Sequence, residues 1–156
     1  MGEQMIESVM DRREFVAAGV ALITTTTLVG RAAEATLPDV RAAIGEILGE
    51  ASAEEGRVSL ELPEIAEDGY TVPLTVQVES PMTAEDHVKA VHIFADGNPL
   101  PHVAKMIFTP RSGEAVVSIR IRLAQSQTLH ALAEMSDGRF FKTARAVTVT
   151  VGGCGS

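Results

Sequence analysis

Apolar and polar residues alternate in short runs along most of this chain. A two-residue period is typical of strands that bury one face, and seven short apolar or alternating runs lie between Val58 and Val151. Turn signals such as Asp96-Gly97-Asn98-Pro99 separate the runs, and no helical pattern lies between them. We predict strands over residues 58–62, 72–78, 91–94, 103–108, 115–123, 129–135 and 140–151.

Seven strands without interleaved helices favour an all-β fold, an immunoglobulin-like antiparallel β-sandwich. The antibody version has a Cys-Trp-Cys core, but this chain has no Trp and no central cysteine. Val, Ile, Leu and the five Phe are therefore expected to fill the space between the sheets. Ahead of the strands, apolar residues recur at three- and four-residue spacing from Val40 to Leu48, which predicts a short N-terminal helix opened by Pro38 and Asp39.

The first 35 residues have a different character. Arg12 and Arg13 precede a nearly uncharged run of 16 residues, 15–30, which is shorter than the roughly 20 apolar residues of a membrane-spanning helix. Ala33-Glu34-Ala35 has the small-x-small form of a signal-peptidase site. We predict an export signal over residues 1–35, cleaved after Ala35 and similar to a twin-arginine signal. A membrane anchor or a buried N-terminal helix is the alternative.

The chain carries a net charge of −8. Without residues 1–35 it keeps 10 Lys and Arg against 16 Asp and Glu, a charge of −6. A negative surface repels nucleic-acid phosphates and anionic lipids, and no stretch gathers the basic residues that would overcome this. We expect no nucleic-acid partner, no membrane span and a single folded domain over residues 36–151.

The predicted domain offers no recognisable site for catalysis or metal binding. Its histidines, His87, His92, His102 and His130, are scattered without metal-ligand spacing. There is no Gly-x-Ser-x-Gly nucleophile elbow and no phosphate-binding glycine loop. We predict that the protein is not an enzyme and has no cofactor.

The C-terminal arm, residues 152–156, is the exception. It reads Gly-Gly-Cys-Gly-Ser and contains the chain's one cysteine, Cys154. Glycines are poor strand formers, so the ladder should end near Val151 and leave the thiol on a flexible stub. Three extended residues would place the sulfur roughly 10 Å clear of the sandwich. Prenylation requires a cysteine one position earlier, whereas an intermolecular disulfide or an incidental thiol stays open.

The C-terminal arm and the predicted domain together resemble the SoxY family, the sulfur-substrate carriers of periplasmic thiosulfate oxidation. Members end in Gly-Gly-Cys-Gly-Gly, and only Ser156 departs from that ending here. The similarity extends from about Ala43 to the C terminus. It includes Leu62-Pro63-Glu64-Ile65-Ala66-Glu67-Asp68-Gly69, Val72-Pro73-Leu74, Ser80-Pro81-Met82-Thr83, His92-Ile93-Phe94-Ala95, Asn98-Pro99-Leu100-Pro101, Phe108-Thr109-Pro110 and Ile121-Arg122-Leu123-Ala124.

The resemblance implies an immunoglobulin-like sandwich that pairs with a SoxZ-like subunit and is exported to the periplasm as a folded heterodimer. It implies that Cys154 is the site of covalent substrate attachment, with Gly152, Gly153 and Gly155 forming a swinging arm. It also implies three enzymatic partners: a c-type cytochrome that loads thiosulfate, a manganese hydrolase that releases sulfate, and a molybdenum–haem dehydrogenase that oxidises the remaining sulfane sulfur.

Other functions remain open at this stage. The chain could be a paralogue from another sulfur-oxidising or quinoprotein-linked pathway, an enzyme with Cys154 as nucleophile, or a structural sandwich protein with an incidental thiol. No Lys, Arg or His lies within eight residues of Cys154, the nearest being Arg145. We therefore expect partner enzymes to supply the positive groups that activate the thiol.

Overall fold

A computed structural model describes residues 34–153, which contain one α-helix and nine strands. The helix is α1 (Leu37–Leu48), and a 3₁₀ turn covers Pro110–Ser112. The strands are β1 (Ala53–Glu55), β2 (Val58–Glu61), β3 (Ile65–Ala66), β4 (Val72–Val78), β5 (Val88–Ala95), β6 (His102–Ile107), β7 (Ala115–Ile121), β8 (Gln127–Met135) and β9 (Phe140–Val149).

The strands form two sheets that pack as an immunoglobulin-like sandwich, as predicted. One sheet has the order β1-β9-β8-β5-β6, with β3 also paired to β9, and the other has the order β2-β4-β7. All seven predicted strands are present. The sequence analysis missed β1 and β3, two short strands that pair in parallel with β9, whereas every other pairing is antiparallel.

Strand alternation accounts for the core between the sheets. In β4, Val72, Leu74, Val76 and Val78 are buried while Pro73 and other intervening residues face outward. The same period places one face of β5, β8 and β7 in this core. Burial of apolar area on this scale is the main force that holds two sheets together.

A second apolar layer lies on the outer face of the larger sheet. There α1 packs through Val40, which is fully buried, against Phe94, Leu132 and Phe140. The expectation that every Phe lies between the sheets is therefore wrong for Phe94 and Phe140. The physical reason is that the amphipathic helix needs an apolar surface, and these two side chains supply it on the opposite face of their strands.

Local hydrogen bonds define both ends of α1. The Asp39 carboxylate accepts hydrogen bonds from the backbone N–H of Thr36 at 2.7 Å and from its hydroxyl at 2.6 Å. These bonds lower the pKa of Asp39. Gly49 ends the helix at φ 58°, and its N–H donates to the carbonyl of Gly45 at 2.9 Å.

The longest strand, β9, leads directly to the C-terminal arm. It runs antiparallel to β8 along one edge, while β1 and β3 share its other edge. Because β3 pairs with Thr148 and Val149, the chain leaves the sandwich next to the segment that follows β3. That segment contains Gly69.

Candidate functional site

The chain stays in contact with the sandwich after β9 ends at Val149. Thr150 donates its N–H to the carbonyl of Ala66 at 2.9 Å, which extends the pairing with β3. The carbonyl of Val151 accepts the N–H of Gly69 at 2.7 Å. Gly153 donates its N–H to the carbonyl of Leu123 at 2.8 Å. The first two residues of the C-terminal arm therefore lie against the body of the protein.

Gly69 connects the arm to the segment that follows β7. Its N–H donates to Val151, while its carbonyl accepts the N–H of Leu123 at 2.8 Å. Leu123 in turn accepts the N–H of Gly153. We call the backbone of Gly69, Tyr70, Leu123 and Ala124 the glycine notch, because it receives Gly152 and Gly153.

Close contact in the glycine notch explains why these residues are glycines. A Cβ on Gly152 would overlap the carbonyl oxygen of Ala124, and a Cβ on Gly153 would overlap the carbonyl of Gly69 and lie 2.7 Å from the nitrogen of Tyr70. A Cβ on Gly69 would overlap the carbonyl oxygen of Leu123 and lie 2.7 Å from the nitrogen of Gly153. Only a residue without a side chain fits at all three positions.

In the structure Gly152 and Gly153 lie against the sandwich, and the flexibility expected of the arm stays a prediction. The regular ladder ends near Val151 as predicted, but Gly153 is buried and hydrogen-bonded. Lack of a Cβ gives a residue conformational freedom, and it also permits the close backbone approach observed here. The other arm residues, Cys154, Gly155 and Ser156, lie outside the described residues.

A buried polar network supports the glycine notch from the side of the sandwich. The Asn98 side chain donates to the carbonyl of Arg122 and accepts the N–H of Ala124, both at 2.9 Å. Gln127 donates to the Asn98 oxygen at 2.9 Å and accepts the N–H of Gly97 at 2.9 Å. Asn98 and Gln127 are both buried. Sequence reasoning placed Asn98 in a turn and in a stretch that resembles the SoxY family, but it did not predict this network, because the partners of Asn98 lie more than twenty positions away.

Arg122 is a positively charged residue near the notch. Sequence analysis did not predict this position, because Arg122 lies far from Cys154 in sequence. It directly precedes Leu123, whose carbonyl binds Gly153, and it is exposed. Arg122 lines a cavity of about 300 Å³, whose other lining residues are Asn98, Pro99, Leu100, His102 and Val103. The nearest cation to the arm in sequence is Arg145, but the fold brings the Arg122 segment into contact with the arm.

The four histidines occupy separate environments, with one close pair. His92 in β5 and His102 in β6 approach to 3.3 Å between Nδ1 and Nε2, because antiparallel pairing brings the two strands together. Burial lowers the pKa of His92, and the nearby His102 lowers it further. His87 contacts the carbonyl of Thr83, and His130 lies 3.8 Å from Asp96. Within residues 34–153, no group of three or more potential ligands could hold a metal ion.

The predicted export signal lies almost wholly outside the described residues, and so do Arg12 and Arg13. The predicted cleavage residue Ala35 is described. It is buried, and its N–H donates to the carbonyl of Asn98 at 2.7 Å. Across the part of the chain that the structure describes, α1 is too short to cross a bilayer, and no candidate membrane span is found.

Comparison with solved structures places this fold beside two groups of proteins. The sulfur carrier protein SoxY from Chlorobium limicola f thiosulfatophilum is 30% identical, with a TM-score of 0.61, over 73% of this chain and 98% of that one. A superoxide reductase (neelaredoxin) from Ignicoccus hospitalis is 18% identical, with a TM-score of 0.55, over 74% of this chain and 94% of its own. At that identity the reductase shares only the fold.

Sequence comparison agrees with the first of these groups. A search of curated proteins gives no match. The profile of the family described as "Sulfur oxidation protein SoxY", however, matches residues 44–154. That range includes the whole sandwich, both notch segments and Cys154. The chain therefore belongs to the SoxY family of sulfur oxidation proteins.

Proposed function

We propose that this protein carries sulfur intermediates as covalent adducts of Cys154. The observation that carries the proposal is the position of the chain's one cysteine, which directly follows the anchored Gly153 in a member of the SoxY family. The similar protein from Chlorobium limicola f thiosulfatophilum is described as a sulfur carrier.

The proposed chemistry begins with the Cys154 thiolate, since the thiolate is the nucleophilic form of cysteine. Oxidative coupling to thiosulfate forms a bond between the Cys154 Sγ and the outer sulfur of thiosulfate, gives an Sγ–S–SO₃⁻ adduct and releases two electrons to a c-type cytochrome partner. In a manganese hydrolase partner, water then attacks the terminal SO₃ sulfur and breaks its bond to the neighbouring sulfur. This step releases sulfate and two protons and leaves a persulfide on Cys154. A molybdenum–haem dehydrogenase partner accepts six electrons from the outer sulfur of the persulfide, which takes oxygen from three water molecules, releases six protons and becomes an Sγ–SO₃⁻ adduct. A second hydrolysis releases sulfate and restores the thiol.

In this proposal the protein itself is a non-catalytic carrier subunit. A nucleophilic enzyme needs a base within hydrogen-bond reach of the thiol and donors for a developing negative charge. The described residues of the glycine notch contribute backbone groups that already have partners: Gly69 binds Leu123 and Val151, and Ala124 binds the side chain of Asn98. Activation of the thiol is therefore assigned to the partner enzymes.

The remaining parts of the proposal concern location and assembly. The paired arginines Arg12 and Arg13, the apolar run and Ala35 support export by the twin-arginine route to the periplasm. A SoxZ-like subunit is the proposed partner in a heterodimer. The carrier is assigned to thiosulfate or sulfur oxidation, either as the main carrier or as a paralogue that serves a related pathway.

Intact mass spectrometry of the protein isolated from cells that oxidise thiosulfate tests the central claim. We expect sulfur-containing adducts that fragment to Cys154 and that a reductant removes. The matched control is Cys154→Ala, which should carry no adduct while its circular dichroism and partner binding stay unchanged. An unmodified thiol in cells that are oxidising thiosulfate would contradict the carrier role.

Reconstitution separates the carrier from the two other classes. We expect Cys154→Ala to abolish turnover by the partner enzymes, and we expect the isolated wild-type protein to convert no thiol substrate. Turnover by the isolated protein would instead establish an enzyme. Loss of the fold or of the heterodimer in Cys154→Ala would assign the cysteine a structural role.

A further inference from the structure

We propose that the glycine notch docks the C-terminal arm and fixes the point from which Cys154 moves. The inference deepens the carrier function and rests on Cys154 being the carrier thiol. Gly69 is the central positioning residue, because it contacts the arm and the Leu123 segment at once. In the docked state the last anchored residue is Gly153, directly before Cys154, whereas in the undocked state it is Thr150, which pairs with Ala66.

Every contact that holds the arm in the notch involves the backbone. Gly69 binds Val151 at 2.7 Å, and Gly153 binds Leu123 at 2.8 Å. Gly152 and Gly153 present no side chain that could be buried elsewhere. Each of these two hydrogen bonds favours the docked arm by about two- to tenfold, and the conformational entropy of the ordered residues opposes them. Such a balance allows the arm to leave the notch without unfolding the sandwich.

Undocking changes the reach of the thiol. Release of Val151, Gly152 and Gly153 lengthens the free chain by three residues, or about 10 Å when extended. The docked arm keeps Cys154 one residue, about 3.8 Å between Cα atoms, from Gly153 in the notch. The notch therefore gives the carrier two states, a short arm that keeps the thiol close to the body and a long arm that reaches into a partner enzyme.

Substitutions of the arm glycines test the notch without changing the body. A Cβ on Gly152 or Gly153 would overlap the backbone of Ala124 or Gly69, so Gly152→Ala and Gly153→Ala should each undock the arm. Gly69→Ala is less suitable, since its Cβ would also overlap Leu123 within the body. Gly155→Ala is the matched control, because it makes the same change on the other side of Cys154.

Amide hydrogen exchange of the purified full-length protein measures docking on a body residue that no variant alters. We expect the N–H of Gly69 to be protected about tenfold or more in the wild type and in Gly155→Ala. That protection should fall about tenfold in Gly152→Ala and Gly153→Ala, while the N–H of Leu123, which binds Gly69, stays protected. Exchange at Gly69 that is equal in all four proteins would overturn the proposal.

A spin label provides a second measurement that a purely structural role for the glycines would not change. Cys154 is the chain's one cysteine, so labelling is specific. We expect a restricted spectrum in the wild type and in Gly155→Ala, and a mobile spectrum in Gly152→Ala and Gly153→Ala. A label that is equally mobile in the wild type and in Gly153→Ala would overturn docking.

Neither measurement requires a sulfur adduct, so the two proposals can fail separately. Docking without adducts in cells would reject the carrier function and leave the notch. Adducts on Cys154 with an unprotected Gly69 would reject the notch and leave the carrier function.

Discussion

The helix α1 and the C-terminal arm both lie on the sandwich, but different forces hold them. The helix buries Val40 against Phe94, Leu132 and Phe140. The described arm residues, Gly152 and Gly153, have no side chain to bury and are held next to hydrogen bonds between backbone groups. Burial of one Val, Leu or Phe side chain contributes about 1.5–3 kcal/mol, whereas one backbone hydrogen bond contributes a net of about 0.5–1.5 kcal/mol.

This difference separates a permanent attachment from a reversible one. Several apolar side chains must be exposed together before α1 can leave, so the helix remains attached as long as the sandwich is folded. The arm leaves at the cost of two hydrogen bonds that water can replace. The second kind of attachment is the one that the proposed carrier function requires at Cys154.

Loss of the apolar contact between α1 and the sheet should have the largest effect on the free energy of unfolding. Phe94→Ala removes a fully buried ring from beneath α1, and we expect a loss of about 3–5 kcal/mol in the free energy of unfolding in urea. Amide protection in α1 should fall with it. Phe141→Ala is the control, because Phe141 lies in the core between the sheets. If α1 keeps its full protection in Phe94→Ala, its attachment to the sheet does not depend on this contact.

Asn98→Ala should weaken the notch and spare the helix. The change leaves the carbonyl of Arg122 and the N–H of Ala124 without their partner, which we expect to cost about 1–3 kcal/mol in urea unfolding. Exchange of the Gly153 amide should become faster. The bond between the Ala35 N–H and the backbone carbonyl of Asn98 does not involve the side chain, so protection in α1 should not change.

The control for Asn98→Ala is Gln125→Ala, which removes an exposed amide from the same region. Equal stability of Asn98→Ala and the wild type would mean that the polar network does not support the notch.

Low pH should destabilise the larger sheet beneath α1 and should have little effect on docking in the notch. Burial lowers the pKa of His92, so the unfolded chain takes up a proton at a higher pH than the folded one. Stability is therefore complete above the ordinary histidine value of about 6.5 and falls as pH decreases toward the pKa of the folded state. His102, Lys105 and Glu134 also act on this group.

Urea unfolding of the wild type and of His92→Phe between about pH 7 and about pH 5 measures this contribution. The wild type should lose more stability over that interval than the variant, and parallel curves would contradict the expectation. Docking measured at Gly69 should change little, since the notch is made of uncharged backbone groups.

Gly45→Ala should have the smallest effect and the opposite sign. A Cβ at Gly45 in α1 would meet no atom within 4 Å, and Ala is favoured over Gly within a helix by about 0.5–1 kcal/mol. We expect a small rise in the midpoint of thermal unfolding, in contrast to the undocking expected for Gly152→Ala. A destabilised Gly45→Ala protein would show that helix propensity does not limit α1.

The sequence predicted the features that depend on period and missed those that depend on pairing across the fold. Alternation in β4 identified its buried face correctly, and apolar spacing identified α1. The two short strands β1 and β3 carry no such pattern, since they exist through their pairing with β9. The side chains of Phe94 and Phe140 lie on the outer face of the larger sheet, and this position could not be predicted without knowing where α1 packs.

The site divides in the same way. Composition and position identified Cys154 and the glycines beside it as residues of interest. The role of Gly152 and Gly153 in docking could not be predicted, because it depends on Gly69 and Leu123, which lie far away in sequence. A glycine that needs freedom and a glycine that needs close contact look the same in one sequence.

The placement of the arm at the end of β9 also has a mechanical consequence. A force applied to the arm along the axis of this strand would act on a strand that is hydrogen-bonded to β8 on one edge and to β1 and β3 on the other. Those hydrogen bonds run across the strand, so tension loads them together in shear and does not peel them apart one at a time. The docked glycines separate first under such a pull, and the sandwich behind them stays intact.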